Sequence, residues 1–279
     1  MRKLVYDIGL HRGEDSEFYL RKGFQVVGVD ADEAMCQAAA ERLQSYVTSG
    51  QLQIVNVAIA DKAGDVTFYK NANPQWGTLV PAWRDQNDAL GSPSAEVTVR
   101  AITLAELIRR YGAPFFMKID IEGMDRRALQ SLHQAVFLPT FISIESAFPR
   151  DPSIRSIRAE LDALARLGYD RFKIVPQACV EQQTPPYPAL VGEYVPFQFE
   201  PGSSGLFGHE APGDWLTLAE ASHAFGLIVR RSWLAAQLHR MMSLYLLYCG
   251  LIRRLTGRDP EIGWFDIHAQ RSGSAKPAS

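Results

Sequence analysis

Residues 3–30, KLVYDIGLHRGEDSEFYLRKGFQVVGVD, decide how the rest of the chain is read. Leu4, Val5, Tyr6 and Ile8 form a short apolar run of the kind buried on both faces of a parallel sheet. Gly9 and Gly13 bracket a tight turn, helix-favouring residues follow over 14–22, and Gly23 stands where a helix-ending glycine is expected. Val26, Val27, Gly28 and Val29 make a second buried strand that closes in Asp30. Strand, glycine loop, helix and a second strand ending in an acid is the layout of a nucleotide-type cofactor site. The glycines would let ligand atoms approach the backbone, the helix N-terminus offers free N–H groups, and the closing carboxylate can accept hydrogen bonds from two ribose hydroxyls.

The loop itself narrows the cofactor. A dinucleotide fingerprint, G-x-G-x-x-G, needs a middle glycine to admit a pyrophosphate, and here that position is His11. The sequence D-x-G-x-x-x-G, with Asp7 ending the first strand, suits S-adenosylmethionine better, because Asp7 can meet its cationic amine directly or through water. Taken alone, the loop is equally compatible with an ordinary strand-to-helix turn.

Working outward, 279 residues allow one α/β domain with an appendage or two small domains. A net charge of −2 gives no sign of a nucleic-acid or anionic-membrane surface. Three widely separated cysteines, Cys36, Cys179 and Cys249, show neither metal spacing nor a disulfide framework, which fits a reducing cytosol. Lys3 already leads into a strand, leaving no room for a signal peptide, and the longest apolar run, 241–252, is too short to span a bilayer. A cytoplasmic location without stable membrane insertion is expected.

Helices are expected over 32–46, with Asp32 as N-cap, over 103–111 with Thr103 as cap, over 124–133 and over 153–167. Strands are expected over 52–60, 64–70, 96–101, 115–122, 141–145 and 171–175, the second as one arm of a hairpin. Residues 71–94 read as a long polar loop carrying Trp76 and Trp83. The repeated β-α alternation predicts an α/β fold with a doubly wound, mostly parallel sheet. Beyond Pro176 the pattern changes: residues 197–199 could supply an antiparallel strand, and a long helix over 218–255 should break near Gly226. The segment WFDIHA, 264–269, reads as a packed terminal strand or a lid carrying Asp266 and His268, and residues 201–213 as a glycine-rich lid. Residues 1–200 are taken as a cofactor-binding domain and 201–279 as a C-terminal cap or helical extension, either separate or packed onto the first domain as one unit.

A second constellation lies in MKIDIEG, 117–123, where alternation sends Lys118, Asp120 and Glu122 to one face of a core strand. Buried charges are costly unless paired or used. Strand C-termini form the ligand crevice of an open α/β sheet, and Asp7, Asp30, Asp120 and Glu145 all close strands at one level. DIGLHRG, GVDAD, NVAIAD, KIDIEG and FISIE, in this order and spacing over 5–146, resemble the FkbM-type methyltransferases, a class I S-adenosylmethionine-dependent group.

That resemblance implies a Rossmann-like, seven-stranded sheet whose last strand is antiparallel, S-adenosylmethionine as cofactor, and O-methylation of hydroxyls on sugars, polyketides and other secondary metabolites. It implies that Asp7, Gly9, His11 and Gly13 hold the methionine end, Asp30 and Ala31 the ribose, and Val57 and Ala58 the adenine. Asp120 would lie beside the transferred methyl with Glu122 next to the acceptor. The family's usual Ala-Asn is replaced here by Leu10-His11, which bears on the loop's geometry. In-line methyl transfer requires positioning and a base for the hydroxyl proton; Asp120, then Glu122 or His11, are the candidate bases. Trp76, Thr78 and Glu145 are candidates for the acceptor pocket. No metal is assigned, although Asp120, Glu122 and Glu145 could hold a hard cation if their carboxylates converge. The rival readings are a non-catalytic scaffold working through the C-terminal helix, which could also make a homodimer, and a nucleotide-dependent oxidoreductase, whose Tyr-x-x-x-Lys pair is missing.

Overall fold

The computed structural model describes residues 3–239, 242–256 and 263–272. The chain opens as β1 (Leu4–Ile8), α1 (Glu14–Arg21), β2 (Gln25–Asp30), α2 (Glu33–Arg42), α3 (Gln44–Thr48) and β3 (Leu52–Asn56). Next come β4 (Ala58–Ile59), β5 (Gly64–Asn71), α4 (Pro81–Ala89), β6 (Ser94–Ile102) and α5 (Leu104–Tyr111). The second half supplies β7 (Phe116–Ile119), α6 (Asp125–Gln130), β8 (Phe141–Glu145), α7 (Ile154–Arg166), β9 (Arg171–Pro176), α8 (Leu218–His239), α9 (Met242–Thr256) and β10 (Phe265–Gln270).

Seven strands make the central sheet in the order β3-β2-β1-β7-β8-β10-β9. The neighbours from β3 to β8 pair in parallel, and β10 runs antiparallel to both β8 and β9. This is the doubly wound α/β architecture with an antiparallel last strand. Its position follows from burial: β1 and β7 are buried on both faces, with Val5, Tyr6, Ile8, Met117 and Ile119 all but inaccessible to solvent. The order reverses between β1 and β7, so the crevice at their carboxyl ends is the topological switch point. A small sheet, β4-β6-β5, stands beside that crevice; its β5–β6 hairpin pairs Gly64 with Ala101 through to Asn71 with Ser94.

Local chemistry sets the helix ends. Asp32 caps α2 by accepting from the Ala34 N–H at 2.9 Å, and Thr103 with Glu106 forms a reciprocal capping box at α5. The helix expected over 32–46 divides at Leu43, whose side chain is buried with Phe18 and Val26. The strand expected over 52–60 divides at Val57, where the chain leaves the central sheet for the small one.

Several expectations are corrected. Residues 71–94 hold α4, started by Pro81 at its first turn, rather than an irregular loop. Residues 197–199 form no strand: Phe197 and Phe199 instead pack on Phe18, with ring centroids 5.0 and 4.9 Å away. Gly226 lies within α8, so the helix expected over 218–255 does not break there; a lone glycine lowers helix stability by only about 1 kcal/mol. The 201–213 segment is anchored rather than lid-like. Ser203 to Gly208 are buried, and the Glu210 carboxylate meets Lys22 Nζ at 2.9 Å, both side chains fully enclosed. Of the two readings of WFDIHA the strand is the one found: residues 265–270 form β10, which joins the central sheet between β8 and β9. No helix among the described residues is long and apolar enough to cross a membrane.

Candidate functional site

The crevice is a cleft of about 500 Å3 bordered by the loop after β1, the ends of β2, β7, β8 and β10, the small sheet, and residues 201–204. That volume is ample for a ligand of nucleoside size.

Gly9 and Gly13 are glycines for reasons internal to the fold. Both have left-handed φ, +88° and +81°. A Cβ on Gly9 would lie 1.9 Å from the carbonyl oxygen of Asp120, and one on Gly13 would lie 2.7 Å from Leu43 Cδ1. Gly9 lets the β1 loop pass the end of β7 and borders the cleft, whereas Gly13 does not border it and seats the loop on α2. His11 is itself left-handed, φ +49°, a conformation that Asn and His tolerate better than most residues. The Leu10-His11 departure thus preserves the loop's backbone. His11 donates its N–H to Asp30 Oδ2 at 2.8 Å and places Nδ1 3.2 Å from Glu14.

Asp30 borders the cleft at the end of β2, its two oxygens accepting from the N–H groups of His11 and Asp32 at 2.8 and 2.9 Å. Burial raises its pKa despite those donors. The carboxylate is fixed in orientation at the cleft wall, with lone pairs left for a ligand diol. Ala31, Val57 and Ala58 stand beside it, together with Leu10 and Phe68.

Lys118 is the charge centre. Its buried ammonium lies 3.4 Å from Asp7, 3.3 Å from Asp15 and 3.5 Å from Asp120, and donates to the Gly9 carbonyl at 3.1 Å. Asp7 is wholly enclosed, accepts from Ser16 Oγ at 2.6 Å and does not border the cleft. No part of its carboxylate is exposed for direct contact with a ligand amine; its burial raises its pKa to about 7. The acid that does border the cleft at this point is Asp15, whose two oxygens both accept from the Ser204 N–H at 3.0 Å. Asp15 was visible in the sequence only as one of three acids in the first turn of α1, which reads as a favourable helix-dipole position.

At the far end β7 stops at Ile119, so the expectation of a strand to residue 122 is corrected. Glu122 turns left-handed at φ +49°, which breaks the alternation that would have set it on the face of Lys118. Its carbonyl accepts from Thr78 Oγ1 at 2.7 Å, and its carboxylate lies 3.3 Å from Arg150. Burial and then Asp120 push Glu122 up to about 8, while burial, Asp120 and Glu122 raise Glu145. Asp120, Glu122 and Glu145 each offer an oxygen within 4.8 Å of the others, so the carboxylates converge.

Trp76 and Thr78 border this end, but the Thr78 hydroxyl is committed to Glu122 and does not face an acceptor. Arg150, not anticipated, lies 4.5 Å over the Trp83 ring and donates to Asn87 Oδ1 at 2.8 Å. Asp266 also borders the cleft, whereas His268, two residues on, is buried with neither ring nitrogen bonded.

The donor set fits S-adenosylmethionine. A fixed carboxylate for a ribose stands beside small apolar residues for a purine, and Asp15 and Asp120 border the cleft for a cationic end.

Residues 7–171, more than half of the chain, match the family model described as the Methyltransferase FkbM domain. A search of curated proteins finds no match to the chain. Among solved structures, it is similar to a SAM-dependent methyltransferase from Thiobacillus denitrificans in complex with S-adenosyl-L-homocysteine, at 12% identity and TM-score 0.38, covering 97% of this chain and 85% of that one. It is also similar to an O-methyltransferase from Bacillus cereus, at 14% identity and TM-score 0.36, covering 62% and 66% respectively. The cyclase SpnF is similar at 11% identity and TM-score 0.39, covering 97% and 74%.

Proposed function

The chain belongs to the FkbM methyltransferase family, an S-adenosylmethionine-dependent group, and from that premise we propose that it methylates a hydroxyl oxygen of a small molecule or sugar. Bound in the cleft, S-adenosylmethionine supplies a methyl group activated by a positively charged sulfur. In this reading Asp30 holds the ribose, Ala31, Val57, Ala58 and Leu10 enclose the purine, and Asp15 takes the place first expected of Asp7 opposite the amine.

The observation that carries the reading is the convergence of Asp120, Glu122 and Glu145 at one end of the cleft. A hydroxyl must lose its proton as its oxygen attacks, and a base works best with a pKa near the working pH. Glu122, raised to about 8, meets that requirement. Arg150 favours its ionised form before the reaction, its carboxylate then takes the proton and becomes neutral, and Asp120 orients the hydroxyl from the end of β7. His11, with one ring nitrogen on Glu14, serves the loop and Asp30 rather than the acceptor. Trp76 provides an apolar wall for the acceptor skeleton. The acidity of this end and the net charge of −2 make a nucleic-acid acceptor unfavourable.

The test is to incubate the protein with methyl-labelled S-adenosylmethionine and parallel sets of hydroxyl, amine and thiol acceptors. Label in an alkali-stable ether that disappears in Glu122→Gln supports the reading. Label confined to amines or thiols overturns it.

A further inference from the structure

We propose that the floor of the cleft binds one divalent cation of the hard, oxygen-preferring class through Asp120, Glu122 and Glu145. One oxygen from each lies within 4.8 Å of the other two. Oxygen ligands stand about 2.0–2.6 Å from such an ion, so two on one ion are at most about 5 Å apart. The set contains no histidine or cysteine, which favours magnesium, manganese or calcium over zinc.

The local charge is not balanced by the protein. Lys118 is 3.5 Å from Asp120 but is shared with Asp7 and Asp15, and Arg150 serves Glu122. The Glu145 side chain makes no hydrogen bond or ion pair among the described residues.

A separate strand gives the second observation. Asp266 on β10 lies directly opposite Glu145 on β8, so both side chains leave the same face of the sheet. Asp266 borders the same cleft and is only 5% exposed. It too has no hydrogen-bond or ion-pair partner among the described residues. A carboxylate enclosed without donors is retained where something positive completes its surroundings, and here it stands next to three converging carboxylates. Asp266 thus stands beside Glu145 on the face that borders the cleft and adds a fourth acid to the surroundings of the proposed ion.

For its role the inference rests on the hydroxyl-methylation reading: an ion held by one oxygen of each carboxylate keeps coordination positions open for an acceptor oxygen, and the second oxygen of Glu122 is left to take the hydroxyl proton. For binding it rests on geometry alone, and the experiment reads binding alone. Full-length protein is freed of metal with a chelator and titrated with manganese chloride, with free manganese followed by its paramagnetic resonance signal. The expected result is one manganese per chain with a dissociation constant near ~100 µM or tighter, within the range of carboxylate sites. Affinity should fall at least about tenfold in Glu145→Gln and in Asp266→Asn, and stay unchanged in Asp65→Asn, an exposed acid on β5. Two variants guard against one failing to fold. No saturation by ~1 mM manganese, or equal affinity in folded Glu145→Gln, overturns the site. S-adenosylmethionine is titrated into the same samples: donor binding without manganese binding overturns the cation alone and leaves the family's cofactor untouched.

Discussion

Asp120 and Gly9 show what single residues do in this cleft. An alanine at position 9 would place its Cβ 1.9 Å from the Asp120 carbonyl while forcing a φ of +88°. Either the β1 loop or the end of β7 must then move. Gly9→Ala is expected to lower unfolding stability by more than about 2 kcal/mol and to weaken cofactor binding together with it. Urea denaturation checks the first, and an unchanged midpoint would mean that the end of β7 yields freely. The cluster of acids makes a pH prediction. Glu122 is raised from 4.5 to about 8, and Glu145 is raised by burial and its acidic neighbours. A carboxylate with a higher pKa folded than unfolded binds its proton more tightly in the folded state. The favourable contribution is therefore complete below about 4.5 and is lost as pH rises through about 8. The melting temperature of the cofactor-free protein should fall between about pH 6 and about pH 8.5, and Glu122→Gln should reduce that fall. A melting temperature that rises over the window would contradict the assignment. At this scale the sequence carried the identities but not the reasons: Gly9, Asp30, Asp120, Glu122 and Glu145 border the cleft, yet Asp7 is sealed beneath it. Asp15 and not Asp7 borders the cleft, and its partner Ser204 lies 189 residues away, a placement that no local pattern records.

Elements were legible where one residue fixed an end. Asp32, Thr103 and Ser153 cap their helices by side-chain bonds to the backbone, and their chemistry is written locally. Where tertiary packing decides, it was not. β7 stops three residues short of the expected strand because Glu122 turns left-handed while Thr78, on the small sheet's side, holds its carbonyl. The run Phe197-Gln198-Phe199 alternates like a strand but is used to fill the aromatic cluster around Phe18. The anchoring of residues 201–210 depends on the enclosed Lys22–Glu210 pair, whose acid also accepts from the N–H groups of Leu190 and Val191. Removing one partner of a buried pair leaves an uncompensated charge. Lys22→Met should therefore lower stability by about 3 kcal/mol or more and expose residues 201–210 to proteolysis. Unaltered denaturation and digestion would show that this segment is held by other contacts.

For the molecule as a whole, the last described strand settles how the chain is organised. β10 pairs with both β8 and β9, so a chain ending at residue 200 leaves two core strands without their shared neighbour. Such a chain is expected to lose the cooperative unfolding transition, which calorimetry would read; a sharp transition would mean that residues 1–200 close without β10. The sequence signalled this strand through WFDIHA, but pairing across such a distance is invisible to local pattern, and Asp266 gained its meaning only once β10 lay beside Glu145. Trp76, Arg150 and the converging acids meet at the far end of the cleft. The measurement that tests the account most directly is calorimetric titration of the purified protein with S-adenosylmethionine, repeated on Asp30→Ala. The account predicts saturable binding to one site, weakened about tenfold or more in the variant through loss of charged hydrogen bonds. A folded protein that fails to bind S-adenosylmethionine, or that binds it equally well without the Asp30 carboxylate, would contradict the assignment of this cleft.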